Sequence, residues 1–180
     1  MAPRVALRPA TPADIPFVMA VERIPGHDAF INLWAEEEHA ASIAGPDHAY
    51  LIADGPDGRP AGFAILSDMR DVHGNICLKR IAVAAPGQGL GAPFLRAIGG
   101  WTFGNTAAHR LWLYVVATND RARHVYRAQH FAEEGTLREA RLNPDGTRTA
   151  LILMSLLRRE WAARAAGPAP MIPTPAIPAP

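Results

Sequence analysis

Gly87, Gly89 and Gly91 fall within five residues, directly after the apolar run Ile81, Ala82 and Val83, and a helical apolar pattern begins at Leu90. Glycines remove the Cβ atoms that keep a ligand away from the main chain. A helix starting at such a turn presents unpaired N–H groups and the positive end of its dipole. Strand, glycine turn and helix N-terminus together make a cradle for an anion, most often a phosphate or diphosphate. A tight strand-to-helix turn without a ligand would use the same residues. Two phosphate motifs fail on the details. A P-loop requires GxxxxGK[ST], and no lysine follows these glycines. Gly87 and Gly89 with Ala92 match GxGxxA, yet the acidic ribose partner due about 20 residues later is missing, since no Asp or Glu occurs between Ala92 and Asn119.

The elements that must position this turn can be read from pattern. Residues 5–8 form a short strand, followed by a helix with Thr11 as cap, Pro12 at its first position and Ile15, Val18, Met19 and Val21 as its buried stripe. Residues 30–44 form a second helical region with Glu36, Glu37 and Glu38 on a solvated face. Strands over 50–53, 60–66 and 76–83, joined by polar turns, make an antiparallel meander. A helix over 90–103 accepts Pro93 only in its first turn. A strand over 111–116, a helix capped at Thr118, Asn119 and Asp120, and a hairpin of 131–141 with 148–157 complete the pattern. The expected fold is mixed α/β (α+β), a mostly antiparallel central sheet with helices on both faces. Residues 1–165 are expected to form one domain, and the proline- and alanine-rich residues 166–180 a disordered tail.

Two segments carry a resemblance. Pro86-Gly87-Gln88-Gly89-Leu90-Gly91 resembles motif A, [QR]xxGx[GA], of the GNAT superfamily of acetyl-coenzyme A-dependent N-acetyltransferases, with Pro86 where that pattern has Gln or Arg. Residues 119–131 resemble the same family's NxxAxxxYxxxGF, matched by Asn119, Ala122, Tyr126 and Phe131, with His130 in place of glycine. The resemblance covers roughly residues 5–157, the first half by element order alone. It implies the GNAT-like sheet, acetyl-coenzyme A as co-substrate, no metal, and transfer of an acetyl group to a primary amine through a ternary complex.

It also implies roles. Main-chain groups of Ile81, Ala82 and Val83 would hold the pantetheine arm, and Gln88, Gly89, Leu90, Gly91 and Ala92 the diphosphate. Asn119 would cap its helix and touch the ligand. Tyr126, seven residues from Asn119 and so on the same helical face, would contact the cofactor and protonate the departing thiolate as general acid. Many relatives carry a glutamate base at the position of Cys77. Here the base is open among Glu133, Glu134, His73 and His109; Cys77 could act as a nucleophile, but a lone cysteine on a strand is more often a small buried hydrophobe. His27, Phe30, Trp34 and Trp112 are candidates for lining the acceptor pocket. Pro86 and the missing glutamate keep a second reading in view, a non-catalytic acyl-coenzyme A-binding module.

Composition closes off other classes. A net charge of +1 gives no global field toward nucleic acid or an anionic membrane. One cysteine excludes an internal disulfide and a cysteine zinc site, and fits a reducing cytoplasm. Residues 1–16 contain no apolar core of signal-peptide length, and no run approaches the length of a membrane span. The resemblance implies an amine acceptor as partner, composition points to neither nucleic acid nor membrane, and a homodimer is compatible with this picture.

Overall fold

The computed structural model describes residues 5–27 and 30–165; the expected proline-rich tail lies outside them. Strand β1 (Ala6–Pro9) leads into a 3₁₀ turn whose start is fixed by Asp14. The Thr11 N–H donates to the Asp14 carboxylate at 2.8 Å, and Arg8 donates to both of its oxygens at 2.8 and 2.9 Å. Helix α1 (Ile15–Glu22) follows directly. Helix α2 (Glu36–Ala44) begins six residues later than the sequence pattern suggests. Its first turn holds Glu36, Glu37 and Glu38, where the helix dipole favours negative charge, and Glu38 caps the Ala35 N–H at 2.8 Å. These three glutamates are exposed, as expected.

The meander forms as anticipated from β2 (His48–Asp54), β3 (Pro60–Ser67) and β4 (Asn75–Val83). Then come α3 (Gly91–Asn105), β5 (Arg110–Val116), α4 (Asp120–Ala128) and the hairpin β6 (Ala132–Leu142) and β7 (Arg148–Leu157). Helix α5 (Arg158–Ala165) was not anticipated from the sequence. Its first residue explains it: the Arg158 guanidinium donates to the carbonyls of Phe103, Thr106 and Ala108 at 2.6–2.7 Å, capping the C-terminal end of α3.

The strands make one sheet in the order β1-β2-β3-β4-β5-β7-β6, antiparallel except between β4 and β5. Helices cover both faces, as expected. On one, Phe94, Leu95 and Ile98 of α3 and Tyr126 of α4 pack with Leu66, Leu78, Leu111 and Met154. On the other, Val18 and Val21 of α1 pack with Tyr50, Ile52, Phe63 and Ile65.

One irregularity shapes everything that follows. Between β3 and β4 the register passes from Leu66↔Leu78 to Ile65↔Arg80, so Lys79 is an extra residue in β4. Such a bulge bends its strand and increases the local twist. Beyond it β4 leaves β5: the two pair only at Asn75↔Arg110, Ile76↔Leu111 and Cys77↔Trp112, although β4 runs on to Val83 and β5 to Val116. The sheet is forked in its middle.

His130, between α4 and β6, adopts φ +71°, the left-handed conformation that its place in the resembling motif implies. A Cβ is unfavourable there. His130→Gly should raise unfolding stability by about 0.5–1 kcal/mol, the relieved strain less the extra chain entropy of glycine. A urea titration would show this as a higher midpoint at unchanged slope.

Candidate functional site

The fork leaves an open strand edge inside a sheet. From Lys79 to Val83, the side of β4 that faces β5 carries no paired strand among the described residues, so its main-chain groups could bind an extended ligand as an added strand would. Ile81 and Val83 turn their side chains into the core with α3, and Ala82 packs on the opposite face with α1. Side chains thus pack the interior while the backbone stays available.

This edge runs straight into the glycine turn. Gly87 and Gly89 adopt φ +94° and +78°, and no atom lies within 4 Å of where a Cβ would stand on Gly87, Gly89 or Gly91. The turn is exposed through Gly89. Helix α3 starts with Leu90 as N-cap and no side-chain cap, so the first-turn N–H groups that the helix itself leaves unpaired gain no cap bond from that residue, beside Gln88 and Ala92. An anionic ligand fits these features: empty volume over the glycines, uncapped donors and a favourable dipole end. The arrangement can hold a long molecule with a diphosphate at the turn and an extended arm along β4.

Tyr126 lies in the same packed cluster as Ile81, Val83 and Leu90, buried, with its ring 5.9 Å from that of Phe131. Burial pushes its phenol above the ordinary value of 10, so it carries its proton at neutral pH. Asn119 caps α4, its side-chain oxygen accepting from the Ala122 N–H at 3.1 Å.

The candidate bases separate. Burial pushes the Cys77 thiol up to about 11, which leaves it protonated and without nucleophilic character near neutrality. Glu133 accepts from Arg123 and Arg127 at 3.2 and 2.6 Å, and these bonds hold it below the usual carboxylate range. Burial works to raise Glu134, but the Ser155 hydroxyl and the Arg110 guanidinium outweigh it, and it too stays low. His73 and His109 line a cavity at the start of β4, away from the glycine turn.

Of the acceptor-pocket candidates, Trp112 stands on β5 at the last pair before the fork. It lines a cavity of about 260 Å³ with Ser67, Asp68, Cys77, Lys79 and Tyr114. Tyr114 stands edge-on to it at 5.0 Å and is 46% exposed. His27 instead bonds the Val21 carbonyl at 2.8 Å, and Phe30 lies on the surface. Trp34 belongs to a buried network that sequence reasoning missed. Arg80 donates to Glu22 Oε1 at 2.6 Å and lies 4.0 Å from the Trp34 ring. His39 joins Glu22 Oε2 at 3.2 Å to the Tyr50 hydroxyl at 3.1 Å. Glu22 and His39 are wholly buried. This network anchors the bulged stretch of β4 to α1 and α2. A 58-residue separation between Glu22 and Arg80 left no local signal.

Comparison with known proteins places this geometry. Residues 20–131 match the model of the acetyltransferase (GNAT) family. A spermidine N-acetyltransferase from Vibrio cholerae, solved in complex with CoA and spermine, superposes with a TM-score of 0.80 at 18% identity, covering 88% of this chain and 98% of that one. A chimera of the Vibrio cholerae spermidine N-acetyltransferase and hSSAT gives 0.79 at 20% identity, covering 90% and 100%. At this identity the likeness concerns the fold.

The cradle makes a direct prediction. Gly89→Val introduces a β-branched side chain at φ +78° and fills the space above the turn. Coenzyme A affinity, measured by calorimetry, should fall at least about tenfold, or about 1.4 kcal/mol.

Proposed function

The chain belongs to the acetyltransferase (GNAT) family, and from that premise we propose that it moves an acetyl group from acetyl-coenzyme A to a primary amine, by direct transfer in a ternary complex. One observation carries the reading: a β4 edge that no strand of the described residues pairs leads through one short turn, with three unobstructed glycines, to an uncapped helix N-terminus. In this reading main-chain groups of Ile81, Ala82 and Val83 hold the extended arm of the donor. Gln88, Gly89, Leu90, Gly91 and Ala92 hold its diphosphate, and Asn119 makes a further contact beside its cap bond. The donor supplies the thioester; the chain supplies placement, donors toward the developing oxyanion and protons.

Tyr126 acts as the general acid. A phenol kept protonated by burial suits donation to a departing thiolate. The acceptor is a small-molecule amine or a peptide N-terminus. Polyamines, on which the Vibrio cholerae enzymes are named to act, enter as one arm of the test. Among the described residues no helix is long and apolar enough to cross a membrane and no His, Cys, Asp or Glu cluster could hold a metal. The reading places the protein in the cytoplasm, as a single catalytic domain over residues 1–165 with a dispensable tail, and admits a homodimer.

Thiol release from acetyl-coenzyme A in the presence of a panel of amines tests the reading. Free thiol formed with at least one primary amine is expected. Coenzyme A binding without thiol release from any amine would instead favour a binding module, to which Pro86 and Cys77 point. Tyr126→Phe should lower kcat by about a hundredfold and leave coenzyme A affinity unchanged in calorimetry. Undiminished turnover would remove Tyr126 from the acid role.

A further inference from the structure

Acetyl transfer requires that a proton leave the acceptor, because a primary amine reaches the site largely as an ammonium ion. The register of the sheet sets one polar row across the fork: His48, Ser67, Cys77, Trp112 and Ser155 are successive partners on five strands. Glu134, at the end of that row, is committed to Arg110 and Ser155. Asp68, immediately after β3, is not committed. Its carboxylate makes no hydrogen bond or ion pair among the described residues. It is partly buried and lines the cavity where the last β4–β5 pair, Cys77↔Trp112, ends. Its backbone holds φ +61°, a conformation that aspartate tolerates better than most residues and that concentrates at functional sites.

We propose that Asp68 is the carboxylate that receives the acceptor's ammonium group at the fork and takes its proton before the amine attacks, an inference that rests on the acetyl-transfer reading above. The rings of Trp112 and Tyr114 share the cavity and offer faces to an arriving cation. Charged and titratable groups surround Asp68 from every side. Asp47 and His48 lie toward β2, Cys77 and Lys79 on β4, and Arg110 and Tyr114 on β5. Asp71, His73 and His109 line the adjoining cavity, whose wall Asp68 shares. Lys79, the bulged residue, is placed 5.3 Å from the Trp34 ring.

The step balances. The ammonium gives one proton to Asp68, which passes it to solvent, and the freed nitrogen lone pair forms the N–C bond. The C–S bond breaks with its electron pair on sulfur, and sulfur takes the Tyr126 proton. The second nitrogen proton, lost as the amide forms, restores the phenol. One ammonium and one thioester become one amide, one thiol and one free proton.

Asp68→Asn keeps the shape and the left-handed tolerance but cannot take a proton. With an ordinary primary amine at pH 7, kcat should fall about a hundredfold, with coenzyme A affinity and melting temperature unchanged. With trifluoroethylamine, which is already neutral at that pH, the loss should shrink to less than about threefold. An equal loss with both amines, a change confined to KM, or no loss would overturn the proposal. If the Asn variant does not fold, Asp68→Gly, which accepts a positive φ freely, carries the same comparison. A wild-type protein that releases no thiol with either amine overturns the transfer reading itself, which separates the two failures.

Discussion

The Arg80–Glu22 ion pair is the interaction on which the site's geometry depends. Arg80 follows the bulged Lys79 at the point where β4 turns away from β5, and its buried guanidinium bonds a wholly buried carboxylate on α1. Burying two charges is costly unless their geometry is good and their other polar atoms are satisfied. Here His39 takes the second Glu22 oxygen, Tyr50 takes the other side of His39, and Trp34 covers Arg80. The network spans α1, α2, β2 and β4. Breaking one partner would leave an uncompensated charge in the core, so the bulge is fixed from the side of the sheet opposite α3. The strand is thus anchored at the point where the fork opens.

From that opening follows a division of labour. In the proposed reading, donor binding falls to the main chain: an unpaired edge and a helix N-terminus, both indifferent to most side chains. In that reading Pro86 can stand where the family pattern has Gln or Arg, because the backbone does the holding. By the same reading, proton handling falls to side chains on the two faces of the sheet. Tyr126 sits in the core with α3 and α4, whereas the cavity with Trp112, Tyr114 and Asp68 opens on the opposite face. In the proposed reaction Tyr126 serves the departing thiolate from one side of the sheet and Asp68 receives the arriving ammonium on the other.

What could be read in advance follows sequence distance. The glycine turn and the Asn119 to Tyr126 helix are local, and the structure puts both where the pattern did. The left-handed His130 was legible because one motif position fixes it. The meander and the hairpin were legible because turn residues punctuate them. The start of α2 was misplaced because its signal lay in charge at the first turn, while apolar residues from Phe30 onward suggested an earlier beginning. Helix α5 carries almost no amphipathic pattern and is held by one arginine that reaches carbonyls about fifty residues away. The fork, the Glu22 network and the placement of Asp68 depend on register between strands far apart in sequence, which no single stretch encodes. A strand read as ending at Leu66 gave no reason to consider the residue after Ser67.

Amide hydrogen exchange with and without coenzyme A tests the central claim most directly, since it reads the main chain itself. The account predicts that the ligand slows exchange at Ile81, Ala82 and Val83 on the open edge and from Gln88 to Ala92 at the helix mouth. Tight binding of coenzyme A with those amides unchanged and protection elsewhere would contradict it.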